Sequence, residues 1–189
     1  MIKTSWETLY SGIKSCKACP LHLGITKKVP GQGNPDADIM LIGEGPGKME
    51  DIQGLAFVGP AGNLLSKMLA AINIDRKDVY ICNIVKCRPP NNRNPLPKEA
   101  ETCKVFLREQ FALVRPKIIV LMGSVALKNT IAPTGSITAM RGKWVNIKGV
   151  WFMPTFHPAA LLRDVSKKRL AWEDMQLIQK KLEELNDKH

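Results

Sequence analysis

The stretch that decides the fold is IMLIGEGPGKMED, residues 39–51, where an apolar strand runs directly into a glycine-rich loop. Such loops often bind phosphate, but a Walker motif requires glycine where Ile42 stands, and a dinucleotide fingerprint requires glycine where Lys48 stands. Glu44 and Glu50 in the loop would also repel a phosphate unless a metal ion lay between them. The loop is therefore predicted to serve a purpose other than phosphate binding.

Strands and helices alternate on both sides of this stretch. The predicted strands are residues 38–42, 79–83, 117–122 and 151–155, and the predicted helices are a first one from a Thr4–Glu7 capping box to about residue 16, then 61–72, 97–114, 123–130 and one with an apolar stripe over 171–185. This order predicts a parallel α/β sheet covered on both faces, in one domain spanning residues 1–189. Ligands bind such sheets beyond the carboxyl ends of the strands, where GEGPG, NIVKCRPP and TFHPAALLR converge.

The composition favours a polyanionic partner. The chain has 28 Lys and Arg against 17 Asp and Glu, a net charge of +11. Such an excess suits nucleic acid, although a basic protein without such a partner would look the same. No apolar run approaches the roughly 20 residues of a membrane span, and the N-terminus lacks the order of a signal peptide, so we expect no membrane partner and a cytoplasmic location.

The five cysteines form an uneven set, and an odd count in a cytoplasmic chain argues against a disulfide framework. Cys16 and Cys19 form a chelating CxxC pair, and Cys87 and Cys103 could supply the other half of a four-thiolate site for zinc or an iron–sulfur cluster. Cys82 lies inside an apolar strand and is predicted to be a buried free thiol. Thioredoxin-like redox chemistry at Cys16 and Cys19 is the alternative for that pair.

Four motifs together closely resemble those of the family 4 uracil-DNA glycosylases. They are GEGPGKMED, FVGPAG, NIVKCRPPNNRNPLP and HPAALLR, in this order and with the four cysteines so placed, and the resemblance runs from Cys16 to about Arg169. It implies a three-layer α/β/α fold with a short central parallel sheet. It also implies hydrolysis of the N-glycosidic bond of deoxyuridine in DNA, which leaves an abasic site for base excision repair. We expect a monomer acting on uracil-containing DNA.

The resemblance also implies a cofactor. Cys16, Cys19, Cys87 and Cys103 would ligate a structural four-iron four-sulfur cluster near the DNA-binding face. Water would be the nucleophile, so the cluster has no part in the chemical step.

Three residues are predicted to hold the flipped base. Phe57 supplies a stacking face, and the amide of Asn83 can accept from uracil N3–H and donate to O4. His157 is expected to donate to uracil O2, where negative charge grows as the glycosidic bond breaks. Taken alone, each of these residues could have a purely structural role. Phe57 could fill a small space in the core, Asn83 could be a turn residue at the strand end, and His157 could be a hydrogen-bonded residue of a His-Pro turn.

The carboxylate that stabilises the sugar cation is less obvious. Family 1 enzymes carry aspartate two residues after the first glycine of this motif and family 4 usually has alanine, but this chain has Gly45. Glu44 and Glu50 are the candidates for this carboxylate; Glu44 is predicted to be catalytic, and Gly43, Gly45 and Glu50 would contact the substrate. Glu44 could instead be a structural anchor that binds backbone amides.

The DNA contacts are predicted from the segments around the pocket. Leu162 or Arg163 would fill the space left by the flipped base, although Leu161 and Leu162 could equally be core positions of a short helix. Arg88 and Lys86 are expected to contact phosphates. The competing function is a non-catalytic iron–sulfur DNA-binding module of the same fold, which would bind DNA without releasing uracil.

Overall fold

The computed structural model describes residues 4–187 as six strands and eight α-helices. The strands are β1 Gln32–Gly33, β2 Ile39–Gly43, β3 Tyr80–Asn83, β4 Ile118–Met122, β5 Val145–Ile147 and β6 Val150–Thr155. The helices are α1 Trp6–Ser15, α2 Lys48–Gln53, α3 Pro60–Ala70, α4 Pro97–Val114, α5 Ser124–Thr130, α6 Ile137–Met140, α7 Pro158–Arg163 and α8 Lys168–Asn186. Within this range no helix is both long and apolar enough to cross a membrane.

The strands form one sheet in the order β1-β3-β2-β4-β6-β5. The four central strands are parallel, which confirms the predicted parallel α/β sheet. The two edge strands, β1 and β5, pair antiparallel to their neighbours and were not predicted. β1 has only two residues and β5 has three partly or fully exposed ones, so neither shows the apolar run that identifies a buried strand.

Helices cover both faces of the sheet because the central strands are apolar on both sides. In β2 the side chains alternate, so that Met40 and Ile42 join one core cluster while Ile39 and Leu41 join the other. The first cluster is closed by α4 and α5, and the second by α3 and α8. The result is the predicted three-layer α/β/α architecture.

The boundaries of the five predicted helices agree with the observed ones to within three residues, with one correction at the first cap. Ser5, and not Thr4, caps α1, because the Ser5 hydroxyl accepts a hydrogen bond from the Thr8 amide. α4 begins at Pro97 as predicted, and the Glu99 carboxylate accepts from the Leu96 amide at 2.7 Å. The short helix α2 was missed because it lies inside the glycine-rich loop.

A buried ion pair attaches α8 to the sheet. Asp174 is fully buried, accepts a hydrogen bond from the Thr155 hydroxyl of β6 at 2.6 Å, and pairs with the Arg141 guanidinium. Arg141 also donates to the Leu170 carbonyl at 2.6 Å. These contacts hold the end of β6 in place, immediately before the segment that carries His157.

Removing the Asp174 carboxylate is expected to destabilise the fold strongly. Asp174→Ala leaves the Arg141 guanidinium without its buried partner, and such a loss typically costs about 3–5 kcal/mol in the free energy of unfolding. Glu173→Ala is the matched control, because Glu173 is 44% exposed and lies 3.9 Å from the same guanidinium. Urea unfolding of both variants measures the difference, and equal losses would contradict the assignment.

Candidate functional site

A cavity of about 330 Å³ opens where β2, β3 and β6 end. This volume lies within the usual range of ligand sites. The predicted site residues that line it are Glu44, Gly45, Glu50, Phe57, Asn83, His157 and Arg163. Gly43 lies directly behind the wall, while Arg88 and Leu162 lie outside the cavity.

Asn83 presents an unpartnered acceptor at this cavity. It is the last residue of β3 and is 1% exposed. Among residues 4–187, its Oδ1 is the single buried side-chain nitrogen or oxygen atom without a hydrogen-bond partner. A buried acceptor left unpaired costs free energy, so native proteins retain one only where another molecule or a special role completes it. The atom is suited to accept a hydrogen bond from a ligand in the cavity.

Gly43 makes room for this arrangement. A Cβ atom at this position would lie 2.4 Å from Asn83 Oδ1 and 2.6 Å from Phe57 Cζ. Both distances are shorter than any tolerated contact, and the backbone of β2 is held by the parallel register that places Gly43 opposite Asn83. Gly43 therefore acts by having no side chain, which permits the amide and the aromatic ring to meet.

Phe57 is held in an uncommon backbone conformation. Its φ of 53° lies in the left-handed region, which is rare for an aromatic residue and is often found at functional sites. The Arg76 guanidinium donates to the Ala56 carbonyl at 2.8 Å and to the Phe57 carbonyl at 2.9 Å. Gly62 must be glycine, because a Cβ there would lie 1.8 Å from the Phe57 carbonyl oxygen. Arg76 was missed because nothing in its local sequence links it to a loop 19 residues away.

Glu50 fixes the other side of the same loop. Its Oε1 accepts from the backbone amides of Val58 and Gly59, both at 2.9 Å. The role of structural anchor that was considered for Glu44 is therefore filled by Glu50, which also lines the cavity. The substrate contact expected of Glu50 stays a prediction.

Glu44 has no such anchoring contacts. No side chain or backbone amide within the described chain donates a hydrogen bond to its half-buried carboxylate. Burial raises the pKa of Glu44, and the positive charge of nearby Arg163 partly offsets that rise. Of the two carboxylates that line the cavity, Glu44 is the one free to act on a bound molecule.

His157 is a neutral hydrogen-bond donor at this site. It caps α7, where its Nδ1 accepts from the Ala159 amide at 3.1 Å, so in the neutral ring the proton lies on Nε2. Burial, with a smaller contribution from the Arg163 charge, lowers the pKa of His157 to about 4. Gly123, with φ of 90°, allows the ring to approach, since a Cβ there would lie 3.0 Å from His157 Cβ.

Gly45 has little free space behind it. A Cβ at this position would lie 2.8 Å from Val85 Cγ2, and Val85 is buried in the core. An alanine here would require the Val85 side chain to shift. The absence of a side chain at Gly45 therefore leaves room for the Val85 side chain.

The structure distinguishes Leu161 from Leu162, which the sequence alone could not do. Leu161 is buried at 1%, whereas Leu162 is 46% exposed and Val165 is 66% exposed. Leu162 is thus available for an external contact. Arg88 is partly exposed, and its guanidinium Nε donates to Asn92 Oδ1 at 2.8 Å.

The phosphate contact expected of Lys86 is wrong. Lys86 is 1% exposed, and its ammonium is enclosed by protein acceptors. The expectation came from treating a lysine between cysteine and valine as a surface residue. Cys82, by contrast, is fully buried and free, as predicted.

The remaining four cysteines all line a second, small cavity, which is separate from the cavity at the strand ends. Cys16 and Cys19 follow the end of α1, Cys87 follows β3, and Cys103 lies on α4. Burial raises the pKa of the Cys87 thiol to about 12, and the neighbouring cysteines Cys103, Cys19 and Cys16 add to this rise. Across residues 4–187, no three Cys, His, Asp or Glu side chains converge on a point where they could hold a single metal ion.

Comparison with known proteins gives a consistent result. A family model described as the uracil DNA glycosylase superfamily matches residues 30–176. A type-4 uracil-DNA glycosylase of Thermotoga maritima is 47% identical over 176 residues, which cover 90% of this chain and 91% of that protein. Type-4 uracil-DNA glycosylases of Archaeoglobus fulgidus and Sulfurisphaera tokodaii are each 42% identical, over 84% and 92% of this chain and 83% of each of those proteins.

The low pKa of His157 predicts a pH dependence of stability. Because the folded state holds this pKa near 4 instead of the ordinary 6.5, the unfolded state binds more protons between these values. The free energy of unfolding should therefore fall as the pH falls from 6.5 towards 4. His157→Gln should show a shallower fall in urea unfolding at pH 7 and pH 4.5. An NMR titration of the wild-type imidazole with a midpoint above 6 would contradict the prediction.

Proposed function

This chain belongs to the type-4 family of the uracil DNA glycosylase superfamily, and we propose that it is a DNA-repair hydrolase that removes uracil from DNA. The reaction is hydrolysis of the N-glycosidic bond of deoxyuridine, which leaves an abasic site. The observation that carries this proposal is the unpartnered, buried Oδ1 of Asn83 at a cavity that also holds Phe57 and His157.

Recognition of uracil follows from the Asn83 amide. Uracil presents a donor at N3 and an acceptor at O4, which match the Oδ1 acceptor and the Nδ2 donor of the amide. Cytosine presents an acceptor at N3 and a donor at its amino group. The Asn83 Oδ1 acceptor would then face the N3 acceptor, and the Nδ2 donor would face the amino donor, so neither buried pair could form a hydrogen bond. Phe57, whose ring centroid lies 5.6 Å from that of His157, offers a face for the base to stack on.

Departure of the base is assisted by His157. As the glycosidic bond breaks, negative charge grows on uracil O2, and the Nε2–H of a neutral imidazole can donate to it. One preorganised donor of this kind is typically worth about 3 kcal/mol in the transition state. The ring is already aligned by its bond from the Ala159 amide, so little reorganisation is needed at the moment of reaction.

The sugar side of the reaction is assigned to Glu44. The departing base leaves a sugar with oxocarbenium character, which a carboxylate stabilises while water attacks C1′. Glu44 lines the cavity and is not bound by a protein donor, whereas the Glu50 carboxylate is occupied by two backbone amides. Arg163 beside Glu44 favours its ionised form.

DNA binding is assigned to the rim of the cavity. The exposed Leu162 would fill the space that a flipped base leaves in the stack, which would help to offset an unstacking cost of a few kcal/mol. Arg163 and Arg88 supply positive charge nearby for the phosphates. The net charge of +11 supports binding that weakens steeply with salt.

The four-cysteine site suits a four-iron four-sulfur cluster, which would tie three parts of the fold together. The donor set fits, because four thiols line one cavity whose other walls include Ile13, Leu21 and Phe106. Each iron of such a cluster takes one cysteine thiolate, so the four ligands need not converge on a single point. When bound, the cluster would cross-link the α1 end, the segment after β3 and α4.

Loss of the pocket groups should strongly slow uracil release without unfolding the protein. Asn83→Ala and His157→Ala are each expected to lower the rate by about a hundredfold or more, because each removes a positioned hydrogen-bonding group. Alkaline strand cleavage of an end-labelled oligonucleotide with one uracil measures the rate, beside strands with thymine or cytosine. Asn146→Ala, on the exposed face of the edge strand β5, is the control. DNA binding by the wild type without uracil release would favour the non-catalytic module instead.

The cluster assignment predicts a selective effect of cysteine substitutions. The wild-type protein should be brown, with broad absorption near 400 nm and about four irons per chain. Cys87→Ala and Cys103→Ala should lose this absorption and iron, whereas Cys82→Ala should retain both because Cys82 lies outside the four-cysteine cavity. A colourless wild type containing zinc would overturn the iron–sulfur assignment.

A further inference from the structure

Lys86 is a buried cation without a buried acid. Its ammonium donates to the Asn83 carbonyl at 2.7 Å and to Gln110 Oε1 at 2.6 Å. Within residues 4–187, no Asp or Glu forms an ion pair with it. A buried charge without an opposite charge is costly, so lysine is almost never fully buried unless it is paired. An explanation is needed for its retention here.

The Gln110 amide holds this ammonium in one place. Gln110 is itself fully buried, and its Nε2 donates to the Pro30 carbonyl at 2.7 Å and to the Tyr80 hydroxyl at 2.9 Å. With both amide hydrogens engaged in this way, the amide is held in the orientation in which Oε1 accepts from Lys86. The lysine head group is therefore fixed by α4, β3 and the segment before β1.

The other neighbours of Lys86 are cysteines. Cys87 follows it in the chain, and Lys86 lines the four-cysteine cavity together with Cys87 and Cys103. Two of the four proposed cluster ligands thus adjoin Lys86, whose ammonium binds the Asn83 carbonyl.

From these contacts we infer that Lys86 is a positioning residue that links the four-cysteine site to the uracil pocket. Its ammonium fixes the main chain of Asn83, and the ligand thiolates of the bound cluster would supply the negative charge that balances it. This inference rests on the proposed function, because it gives Asn83 the role of reading the base and the cysteines the role of cluster ligands.

Asn83 needs such support because nothing in the described chain binds its Oδ1. On its strand side, Asn83 is held by the parallel register with Gly43. Beyond the strand end, the Lys86 ammonium binds its carbonyl and closes the turn from residue 83 to residue 86. A recognition group must be held to within about 0.5 Å to discriminate between similar ligands. Releasing the carbonyl would let the amide move, and a displacement of about 1 Å can reduce a rate a hundredfold.

The test is a double-mutant cycle between Lys86 and Asn83. Lys86→Met should lower the uracil-release rate at saturating DNA at least tenfold while the absorption near 400 nm is kept. In the Asn83→Ala background, Lys86→Met should cause almost no further loss, because the residue through which it acts is gone. A general structural defect would instead give additive losses, and additivity would overturn the inference.

Gln110→Met is a second variant for the case that Lys86→Met does not fold. It removes one acceptor of the ammonium but keeps the charge and its bond to the Asn83 carbonyl. We expect a smaller loss of release that is again absent in the Asn83→Ala background. Tyr80→Phe, which removes only an outer acceptor of this network, should leave release within a few-fold of the wild type. Additive losses for Gln110→Met would count against the inference.

The charge link is tested without activity. Removing a neighbouring cation makes it harder to add an electron, so Lys86→Met should shift the reduction potential of the cluster to a more negative value, while Gln110→Met should leave it unchanged. An unshifted potential in Lys86→Met, measured by spectroelectrochemical titration, would overturn the charge link. A wild type that releases no uracil would contradict the proposed function, and the potentials would still decide whether Lys86 and the cysteines are coupled.

Discussion

The site depends on a close approach between two parallel strands at their carboxyl ends. β2 and β3 pair so that Gly43 lies opposite Asn83, and the missing side chain at Gly43 is what lets the Asn83 amide and the Phe57 ring share one wall. Register and residue identity are coupled here, since a shift of one residue would turn these side chains to the other face of the sheet. The hydrophobic core that fixes the register of the sheet thereby fixes the geometry of the pocket as well.

The residues that surround this wall divide into those that act and those that hold. Asn83, His157 and Glu44 have polar groups available to bind a ligand. Glu50 and Arg76 instead form hydrogen bonds with the backbone of the loop that carries Phe57. Two charged side chains therefore stabilise one short loop in a conformation that an aromatic residue rarely adopts. A rigid loop keeps the stacking face in place while the cavity is empty, which lowers the ordering cost of binding a base.

Much of the fold could be predicted from the sequence because its signals are local. The five consecutive apolar residues of β4 identify a buried strand, and Pro97 marks the start of α4. The cavity residues were found because their motifs follow the strand ends. What could not be predicted depends on partners far apart in the chain: Lys86 was expected at the surface, and its burial relies on Gln110, 24 residues away. The edge strand β5 was missed because three residues with an exposed face carry too little pattern.

The contacts around Gly45, where the family resemblance leads us to expect alanine, explain why a glycine fits there. Gly43 and Gly45 flank Glu44, and a Cβ at either position would meet a neighbour at less than 3 Å: a polar amide and an aromatic ring at the first, and Val85 at the second. Glu44 thus lies on a backbone that Phe57 and Val85 approach closely on either side. Val85 also lines the cysteine cavity, and it lies next to Lys86. The short segment from Asn83 to Cys87 therefore sets the position of the amide, the room behind Gly45 and one cysteine ligand, so a change in any one of these must be accommodated by the others.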